Sequence, residues 1–339
     1  MTIRYRMVPY SIPFRRPVVT ARGVFLARRG YWIIATDEEG VAGYGEAAPM
    51  PEEMSREIVE IESRRRDNAD AERIMRSSPT VRIGCELARM DLECRGAGRW
   101  LAEAFSTAPH VAVACNALLY ETEPAKAAEE AAQAVAQGYE TIKMKVGSAT
   151  VQEDERRIAA VREAVGPVVR LRLDANRGWS AETAPQALRR LEPYRIEYIE
   201  EPTEGDLSRL RAESGIPIAA DESVRGIDGA RRLIRERAAD LIVLKPMAIG
   251  MRAAYAIACE AVDAGIGVVV TSILDTPVGI AAALHLACAL PGEQRAHGLA
   301  TAANLESNPV QGLEMPARGM MRLPAAPGLG VKIVIRGET

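Results

Sequence analysis

The sequence predicts an α/β protein in which a (β/α)-barrel follows an N-terminal α+β domain. Three observations lead to this prediction. Beyond residue 110, short β-rich runs alternate with alanine-rich amphipathic segments, the pattern of a parallel barrel. Residues 1–105 show another alternation, which is typical of an antiparallel meander. The length of 339 residues suits about two domains at roughly 150 residues per domain.

The regions on either side of the barrel are predicted from alternation and turn signals. Pro79–Phe105 is predicted to be helical, and Ser55–Asp70, dense in Arg and Glu, to be a solvated helix or a loop. Residues 313–339 are predicted to form a Pro- and Gly-rich segment that returns to the first domain. The strands predicted outside the barrel are Arg4–Pro13, Gly30–Asp37, Val41–Glu46 and Val331–Ile335.

The barrel is predicted to occupy residues 106–312. One helix is expected to start at a Thr122 cap and to end at Gly138, and another begins with the capping box Thr150-x-x-Glu153. An open doubly wound sheet is the alternative, but no glycine-rich phosphate loop follows the first strand. The eight predicted strands are Val111–Cys115, Thr141–Val146, Val169–Asp174, Glu197–Glu200, Pro217–Asp221, Asp240–Lys245, Gly267–Ser272 and His297–Ala300.

The composition excludes several classes of protein. With 43 Lys and Arg against 46 Asp and Glu, the chain lacks the basic character of a nucleic-acid-binding protein. No apolar run approaches the ~20 residues of a membrane span, and the N-terminus lacks the apolar core of a signal peptide. Five scattered cysteines without a CxxC pair indicate a reducing compartment. We therefore expect a cytoplasmic protein without nucleic-acid or membrane partners.

Charged residues stand at the ends of five consecutive predicted barrel strands. In such a barrel the carboxyl ends of the strands carry the active site. One charge at such a position is typical of a solvated loop residue, but five in succession, 21 to 29 residues apart, indicate a shared site. The residues are Lys143 and Lys145 on the second strand, Asp174 on the third, Glu200 on the fourth, Asp221 on the fifth and Lys245 on the sixth.

These residue types predict chemistry on a carboxylate substrate. Three carboxylates on neighbouring strands form an oxygen cage suited to Mg²⁺, with Mn²⁺ as a substitute, and the absence of a His/Cys cluster disfavours zinc. The second and sixth strands of an eight-stranded barrel lie opposite each other, so Lys145 and Lys245 are expected to face one another. A nearby metal ion and a second lysine are expected to lower a lysine pKa, which favours removal of a proton α to a carboxylate.

The motifs around these residues resemble the muconate-lactonizing subgroup of the enolase superfamily. That superfamily uses a Lys or His base with one or two Mg²⁺ ions. The resemblance implies a modified (β/α)7β barrel of the TIM type with an N-terminal capping domain. The motifs are Gly43-YGEAAPMP, Thr141-IKMKVG, Leu171-RLDANRGW, Tyr198-IEEP, Ala220-DES, Leu244-KP and Pro327-GLGV.

The resemblance implies a role for each residue that matches a motif. Lys145 is implied as the base on one face of the substrate, Lys245 as the cation on the opposite face, and Lys143 as a charge beside the substrate carboxylate. Asn176 and Glu222 are implied as supports of the groups that touch the metal. The implied ligands of one Mg²⁺ are Asp174, Glu200 and Asp221.

Further details resemble the o-succinylbenzoate synthases of this subgroup. They are Arg172-x-Asp174, Pro13-FRRPVVTARG and His297-GLAT, and they make Arg172 a candidate for substrate binding or support. Ala248 stands where related racemases of N-succinylamino acids tend to have Arg. This resemblance implies a Mg²⁺-dependent lyase of menaquinone biosynthesis, which converts the cyclohexadiene carboxylate SHCHC to 2-succinylbenzoate by syn elimination of water through a metal-stabilised enediolate.

Other candidate substrate contacts each have a structural alternative. Arg22 and Arg16, in the capping loop, either bind the succinyl carboxylate or are solvated surface residues. Thr271 and Gly298 either line the pocket or fill the barrel. Asp275 either faces the pocket or caps the next helix.

Two other functions remain open from the sequence. The same machinery suits epimerization or racemization of a dipeptide or another N-acyl amino acid, or muconate cycloisomerization, since the fold hosts several reactions. The second open function is that of a scaffold protein whose barrel has no catalytic activity, although the intact lysines and carboxylates argue against it. The expected partner is a small-molecule carboxylate, with self-association into a homo-oligomer left open.

Overall fold

The chain begins with a three-stranded antiparallel sheet that packs against one helix. The structure is a computed structural model that describes residues 2–20, 23–49, 58–59, 61–62 and 78–334. The elements are β1 (Arg4–Thr20), β2 (Gly23–Thr36), β3 (Ala42–Ala47) and helix α1 (Pro79–Gly96). A Cβ atom on Gly45 of β3 would overlap the Gly84 carbonyl oxygen of α1, so the close packing of helix and sheet requires glycine there.

The β1–β2 hairpin is longer than predicted. Its register shifts between Pro13 and Val18 and then continues to the pair Thr20–Gly23. The predicted strand ends at Pro13, whereas β1 continues to Thr20, since an edge strand tolerates proline at an irregularity. Most of the predicted Ser55–Asp70 helix or loop lies outside the described residues.

Seven parallel strands form the main sheet, and each is followed by a helix. The strands are β5 (Ala117–Leu119), β6 (Thr141–Lys145), β7 (Arg170–Asp174), β8 (Ile196–Glu200), β9 (Ile218–Ala220), β10 (Leu241–Leu244) and β11 (Gly267–Val270). The helices are α2 (Pro124–Ala136), α3 (Val151–Val165), α4 (Thr183–Leu191), α5 (Leu207–Glu213), α6 (Gly226–Glu236), α7 (Pro246–Ile249), α8 (Met251–Asp263) and α9 (Pro277–Ala289). The predicted barrel class with an N-terminal cap is confirmed.

The eighth position of the barrel is reduced to isolated bridges. His297 pairs with Cys115 just before β5, and Gly298 pairs with Thr271 just after β11, both in parallel orientation. The segment therefore closes the ring between the two edge strands. It matches the weak eighth strand predicted at His297–Ala300, although only its first two residues pair.

The first barrel strand is a correction. The sequence predicts it at Val111–Cys115, but β4 (Ala112–Ala114) pairs antiparallel with β13 (Met320–Arg322), and β5 begins the parallel sheet. High β-propensity identifies a strand but not the strand that it pairs with. The cap of α2 is a second correction, because Glu123 rather than Thr122 accepts from the free N–H groups at the helix start. The Thr150 capping box of α3 is confirmed.

The C-terminal segment contacts helix α1. The Leu329 N–H donates to Asp91 Oδ1 over 2.6 Å, and Arg95 donates to the Val331 carbonyl over 2.5 Å. The predicted strand Val331–Ile335 extends beyond the described residues, and within them β14 (Lys332–Ile333) pairs with β12 (Val310–Gln311). The predicted domain limits at residues 105 and 312 stay a prediction. Within the described ranges, none of the helices has the length and apolar character needed to cross a membrane.

Candidate active site

The carboxyl ends of three neighbouring barrel strands lie side by side. Lys145, Asp174 and Glu200 are the last residues of β6, β7 and β8, and the register pairs Lys145 with Asp174 and Asp174 with Glu200. Asp221 directly follows β9, and Lys245 directly follows β10. The fold brings these residues to one edge because parallel barrel strands end on the same side.

Ion pairs join the lysines of β6 to carboxylates of the next two strands. Lys143 Nζ lies 2.9 Å from Asp174 Oδ2 and 2.6 Å from Glu200 Oε2. Lys145 Nζ lies 3.2 Å from the same Asp174 oxygen. Asp174 and Glu200 are only 2% and 1% exposed, so the ammonium groups compensate carboxylates that have lost most of their water.

A third lysine compensates the carboxylate on the fifth strand. Lys245 Nζ lies 2.6 Å from Asp221 Oδ2, and the Lys245 side chain is 19% exposed. The side chain of Lys145 is 41% exposed, so it is the more accessible of these two lysines. The predicted strand-end residues are therefore assembled in one cluster, with Lys145 on its open side.

The charges of this cluster shift the pKa values in opposite directions. Burial lowers the pKa of Lys143, but Asp174 and Glu200 raise it by more, to well above the ordinary lysine value. For Lys245, burial is likewise outweighed by Asp221 and Glu200, and the pKa is raised. Burial raises the pKa of Asp174, but the nearby lysines, Lys143 foremost, together outweigh burial and hold the pKa below that of an ordinary carboxyl. The carboxylates that contact Lys143 and Lys245 therefore raise the pKa of both lysines, and the lowered pKa expected for a lysine base beside a metal ion stays a prediction.

The carboxylates of Asp174, Glu200 and Asp221 are chemically suited to bind a divalent cation. Burial, and after it the charge of Asp174, raises the pKa of Glu200 well above its ordinary value, which shows that negative charge is crowded there. Three buried carboxylate side chains are the oxygen donors that Mg²⁺ prefers. Among the residues that the structure describes, no three Asp, Glu, His or Cys side chains are already arranged around one point to hold a metal. Metal binding would therefore require the ammonium groups to move away from the carboxylates.

Comparison with known proteins identifies the family. A family model described as "Enolase C-terminal domain-like" matches residues 126–336, more than half of the chain. The chain belongs to this family. Members of the enolase superfamily are enzymes, and the superfamily binds Mg²⁺.

Relatives with two different activities resemble this enolase-family chain. An o-succinylbenzoate synthase from Thermobifida fusca is 40% identical over 206 residues, which cover 59% of this chain and 64% of that protein. A D-Ala-D/L-Ala epimerase from Cytophaga hutchinsonii is 38% identical over 214 residues, which cover 61% of this chain and 58% of that protein. The matched segment spans less than two thirds of each of these two relatives.

A solved structure resembles the whole chain. A dipeptide epimerase from Enterococcus faecalis V583, in complex with Mg and the dipeptide L-Leu-L-Tyr, superposes with a TM-score of 0.88 and 29% identity. The superposition covers 98% of this enolase-family chain and 100% of that protein. Sequence and structure therefore agree on the family but point to more than one reaction within it.

The implied supporting residues lie beside the lysine on the open side of the enolase-family site. Lys145 Nζ donates to Asn176 Oδ1 over 2.5 Å, and Asn176 Nδ2 donates to Glu222 Oε1 over 3.0 Å. Burial, followed by the charge of Asp221, raises the pKa of Glu222. These contacts link Lys145 to the loop after β9, and the supporting roles stay a prediction.

Arg172 lies inside the barrel and is fully buried. Its Nε donates to Glu197 Oε2 over 2.6 Å, its Nη1 donates to the Ala296 carbonyl over 2.7 Å, and its guanidinium lies 4.8 Å from the centre of the Tyr198 ring. Because it is 0% exposed, the structure places it among protein groups rather than at an open pocket. Glu197, its carboxylate partner, is a residue that the sequence argument missed.

Thr271 and Gly298 lie together where the barrel closes. The Thr271 N–H donates to the Leu244 carbonyl and the Gly298 N–H to the Val270 carbonyl, both over 2.9 Å. A Cβ on Gly298 would lie 2.8 Å from Thr271 Cγ2, so the closure leaves no room for a larger residue. Thr271 Oγ1 is buried without a hydrogen-bond partner. The structure thus gives both residues a part in closing the barrel, and a contact with substrate stays a prediction.

Asp275 lies in a second buried cluster, between the cap and the barrel. Its Oδ1 lies 3.7 Å from Nη2 of Arg28, and both side chains are 1% exposed. Burial, and after it the charge of Glu46, raises the pKa of Asp275 to about 7 despite the opposing effect of Arg28. Thr276 rather than Asp275 is the N-cap of α9, so the capping alternative for Asp275 is wrong.

Glu46 completes this second cluster and was missed from the sequence. It is 0% exposed and accepts hydrogen bonds from the backbone N–H groups of Thr276 (3.1 Å) and Gly279 (2.9 Å). The Glu46 side chain, which belongs to β3 of the N-terminal domain, therefore stabilises the start of helix α9. The motif Gly43-YGEAAPMP contains this glutamate, but the sequence offered no partner for it.

Arg16, one of the two capping-loop arginines, contacts acidic residues outside the group of strand-end residues. Arg16 is more than half exposed and lies 3.5 Å from Glu121 and 3.8 Å from Glu130. Its backbone pairs with the Asn304 side chain, which accepts from the N–H and donates to the carbonyl. Arg22 lies outside the described residues, so its predicted contact stays a prediction.

Proposed function

We propose that this chain is an o-succinylbenzoate synthase, a Mg²⁺-dependent lyase that removes water from the cyclohexadiene carboxylate SHCHC. The observation that carries the proposal is the assembly of three lysines with three buried carboxylates at one barrel edge. The similarity to o-succinylbenzoate synthases and the Ala at position 248 support this substrate. The protein would be a carbon–oxygen lyase of the cytoplasm that acts in menaquinone biosynthesis.

Asp174, Glu200 and Asp221 would hold the metal. When bound, Mg²⁺ would supply positive charge to the oxygens of the substrate carboxylate, which makes the neighbouring C–H group more acidic. Lys143, between Asp174 and Glu200, would add a further positive charge to that carboxylate. Negative charge that develops in the reaction would then be met by the positive charges of the metal ion and of Lys143.

Lys145 would carry out the proton transfers. Its side chain is more exposed than that of Lys245, and its amine would remove the proton α to the carboxylate. The same ammonium then gives that proton to the departing β-hydroxyl, so that a C–H and a C–O bond break, a C=C bond forms and water leaves. Lys245, held by Asp221, would supply a cation over the ring from the other face.

An assay with SHCHC tests this proposal. The purified chain with Mg²⁺ is expected to convert SHCHC to 2-succinylbenzoate, measured by chromatography, and chelation with EDTA is expected to stop the conversion. A Lys245→Ala variant is expected to retain exchange of the α-proton, because one base is enough for a syn elimination. Wild-type protein that leaves SHCHC unchanged in the presence of Mg²⁺ would refute the synthase proposal.

The second candidate is epimerization of a dipeptide or another N-acyl amino acid. It is favoured by the near-complete superposition on a dipeptide epimerase, and it would use Lys145 and Lys245, which are expected to face one another across the site. In this reaction one lysine removes the proton and the other returns it to the opposite face. In D₂O, an epimerase would exchange the α-proton of a dipeptide and invert that centre, and both changes can be followed by NMR. Exchange without inversion would argue against it.

A further inference from the structure

One buried carboxylate lies between three loops of the barrel rim. Glu201 follows Glu200 directly in the sequence, and its side chain is 0% exposed. Its backbone φ is +42°, in the left-handed region that favours glycine. A buried charge and an uncommon backbone conformation both have to be stabilised by surrounding contacts.

Five hydrogen bonds converge on the Glu201 carboxylate. Oε1 accepts from Arg177 Nε (2.9 Å), Arg177 Nη2 (2.8 Å) and Ser223 Oγ (2.5 Å). Oε2 accepts from the backbone N–H groups of Asp221 (2.8 Å) and Ser223 (3.1 Å). The partners lie on two loops, those after β7 and β9, and Glu201 itself lies on the loop after β8.

The backbone of Glu201 joins the same loops. Its N–H donates to the Ala219 carbonyl of β9 over 2.9 Å, and its carbonyl accepts from the Arg177 N–H over 2.7 Å. The loop after β7 is itself in the left-handed region at Asn176 (φ 42°) and Arg177 (φ 63°). Side chain and backbone together therefore hold three consecutive loops in one arrangement.

The loops that Glu201 joins also carry residues of the candidate active site. Arg177 follows Asn176, which accepts from Lys145. Asp221 contributes its own N–H and carries the carboxylate that contacts Lys245. Glu200 precedes Glu201 directly. One fully buried side chain thus connects the chain segments that carry Asp174, Glu200 and Asp221.

We propose that Glu201 is a positioning residue that sets the spacing of Asp174, Glu200 and Asp221 and thereby the affinity for Mg²⁺. The inference rests on the proposed function, because it takes these three residues as the metal ligands. Groups that orient metal ligands typically contribute 10- to 100-fold to metal affinity. In Glu201→Gln, an amide NH₂ group replaces one of the two carboxylate oxygens. Because an NH₂ group cannot accept a hydrogen bond, the hydrogen bonds of either Arg177 or the backbone N–H groups are lost.

The test is titration of the full-length chain with Mg²⁺ alone, by calorimetry well below the unfolding temperature. The matched control is Asp91→Asn, because Asp91 is also 0% exposed and accepts from one arginine and two backbone N–H groups, those of Tyr44 and Leu329. We expect both variants to unfold at a lower temperature. Only Glu201→Gln is expected to bind Mg²⁺ at least ~10-fold more weakly than wild type.

The outcomes separate the inference from the proposed function. A wild-type chain that binds no Mg²⁺ would overturn the proposed metal site itself. If the wild-type chain binds Mg²⁺ and Glu201→Gln binds it with an affinity within about twofold of the wild-type affinity, the positioning role alone would be overturned.

A milder pair of variants serves if Glu201→Gln does not fold. Ser223→Ala removes the hydroxyl that donates to Glu201, and Ser214→Ala removes a loop hydroxyl that donates to the Ile216 carbonyl. Loss of one hydrogen bond to a charged group is expected to weaken Mg²⁺ binding by about threefold or more in Ser223→Ala. Ser214→Ala is expected to bind Mg²⁺ as wild type does, and equal affinities in the two variants would contradict the inference.

Discussion

Two buried clusters of charged residues differ in how open they are. The strand-end cluster consists of Lys143, Lys145, Asp174, Glu200, Asp221 and Lys245. The cap cluster consists of Tyr10, Arg28, Glu46, Asp275 and Thr276. The side chain of Lys145 is 41% exposed, whereas Arg28 and Asp275 in the cap cluster are 1% exposed.

We expect this difference in exposure to separate a site for chemistry from a structural contact. In the strand-end cluster, three lysines balance three carboxylates, and one side is open to a small molecule. In the cap cluster, Glu46 and Asp275 outnumber the single cation Arg28, and the excess charge is met by hydrogen bonds from Tyr10 and Thr276. Buried charge is therefore a weak guide to a catalytic site unless part of the cluster is accessible.

The largest effect is expected from Lys145→Ala in the strand-end cluster. Loss of a general base typically lowers turnover by about 10²- to 10⁴-fold. The unfolding temperature should change by only a few degrees, about the shift produced by 1 kcal/mol, because the side chain is partly exposed. Steady-state kinetics and calorimetry on the same preparation measure both quantities. Turnover equal to wild type would show that Lys145 is not the base.

The cap cluster is expected to show the opposite behaviour. Glu46→Ala leaves the Tyr10 hydroxyl and the N–H groups of Thr276 and Gly279 without an acceptor, at a cost of about 1–3 kcal/mol for each unsatisfied group. Urea unfolding should report a loss of about 3 kcal/mol or more, with turnover per folded molecule little changed. Unaltered stability would contradict the structural role of this cluster.

Addition of Mg²⁺ is expected to stabilise the folded chain through the strand-end cluster. A ligand that binds only the folded state contributes about 2.7 kcal/mol at a concentration of 100 times its dissociation constant. Glu200→Asn should lose this stabilisation by Mg²⁺. Glu46→Ala should keep it, although its unfolding temperature without Mg²⁺ should be lower than that of wild type. Thermal unfolding with and without Mg²⁺ provides the measurement. An equal shift in both variants would place the metal elsewhere.

The smallest effect concerns the pH dependence of stability at Asp275. Its pKa is about 7 in the folded chain, above the ordinary value of 3.8. Between these two pH values the folded state therefore holds a proton on Asp275 that the unfolded state has released. Its contribution to stability is therefore full below pH 3.8 and is lost as pH rises through about 7. Asp275→Asn should reduce the fall in unfolding temperature between pH 6 and pH 8 by about 2 °C or more. An unchanged fall would mean that another group is responsible.

Much of the strand-end cluster could be predicted from the sequence. A barrel places strand ends at one edge, so the positions of Asp174, Glu200 and Asp221 in successive strand–helix units were enough to predict that they meet. The lowered pKa of a lysine base depends on a bound metal ion and stays a prediction, whereas the carboxylates that contact Lys143 and Lys245 raise the pKa of these two lysines. The first barrel strand was mispredicted because β-propensity says nothing about the pairing partner.

The sequence by itself determined the alternation of strands and helices, the family motifs and the charged residue types at the strand ends, because these follow from local periodicity and spacing. Only the tertiary structure decided that Glu46 stabilises a helix start 230 residues away, that Asp275 is sealed against Arg28, and that Glu201 joins three loops. Such contacts depend on how distant segments pack, and local propensity carries no information about which buried group will meet which partner.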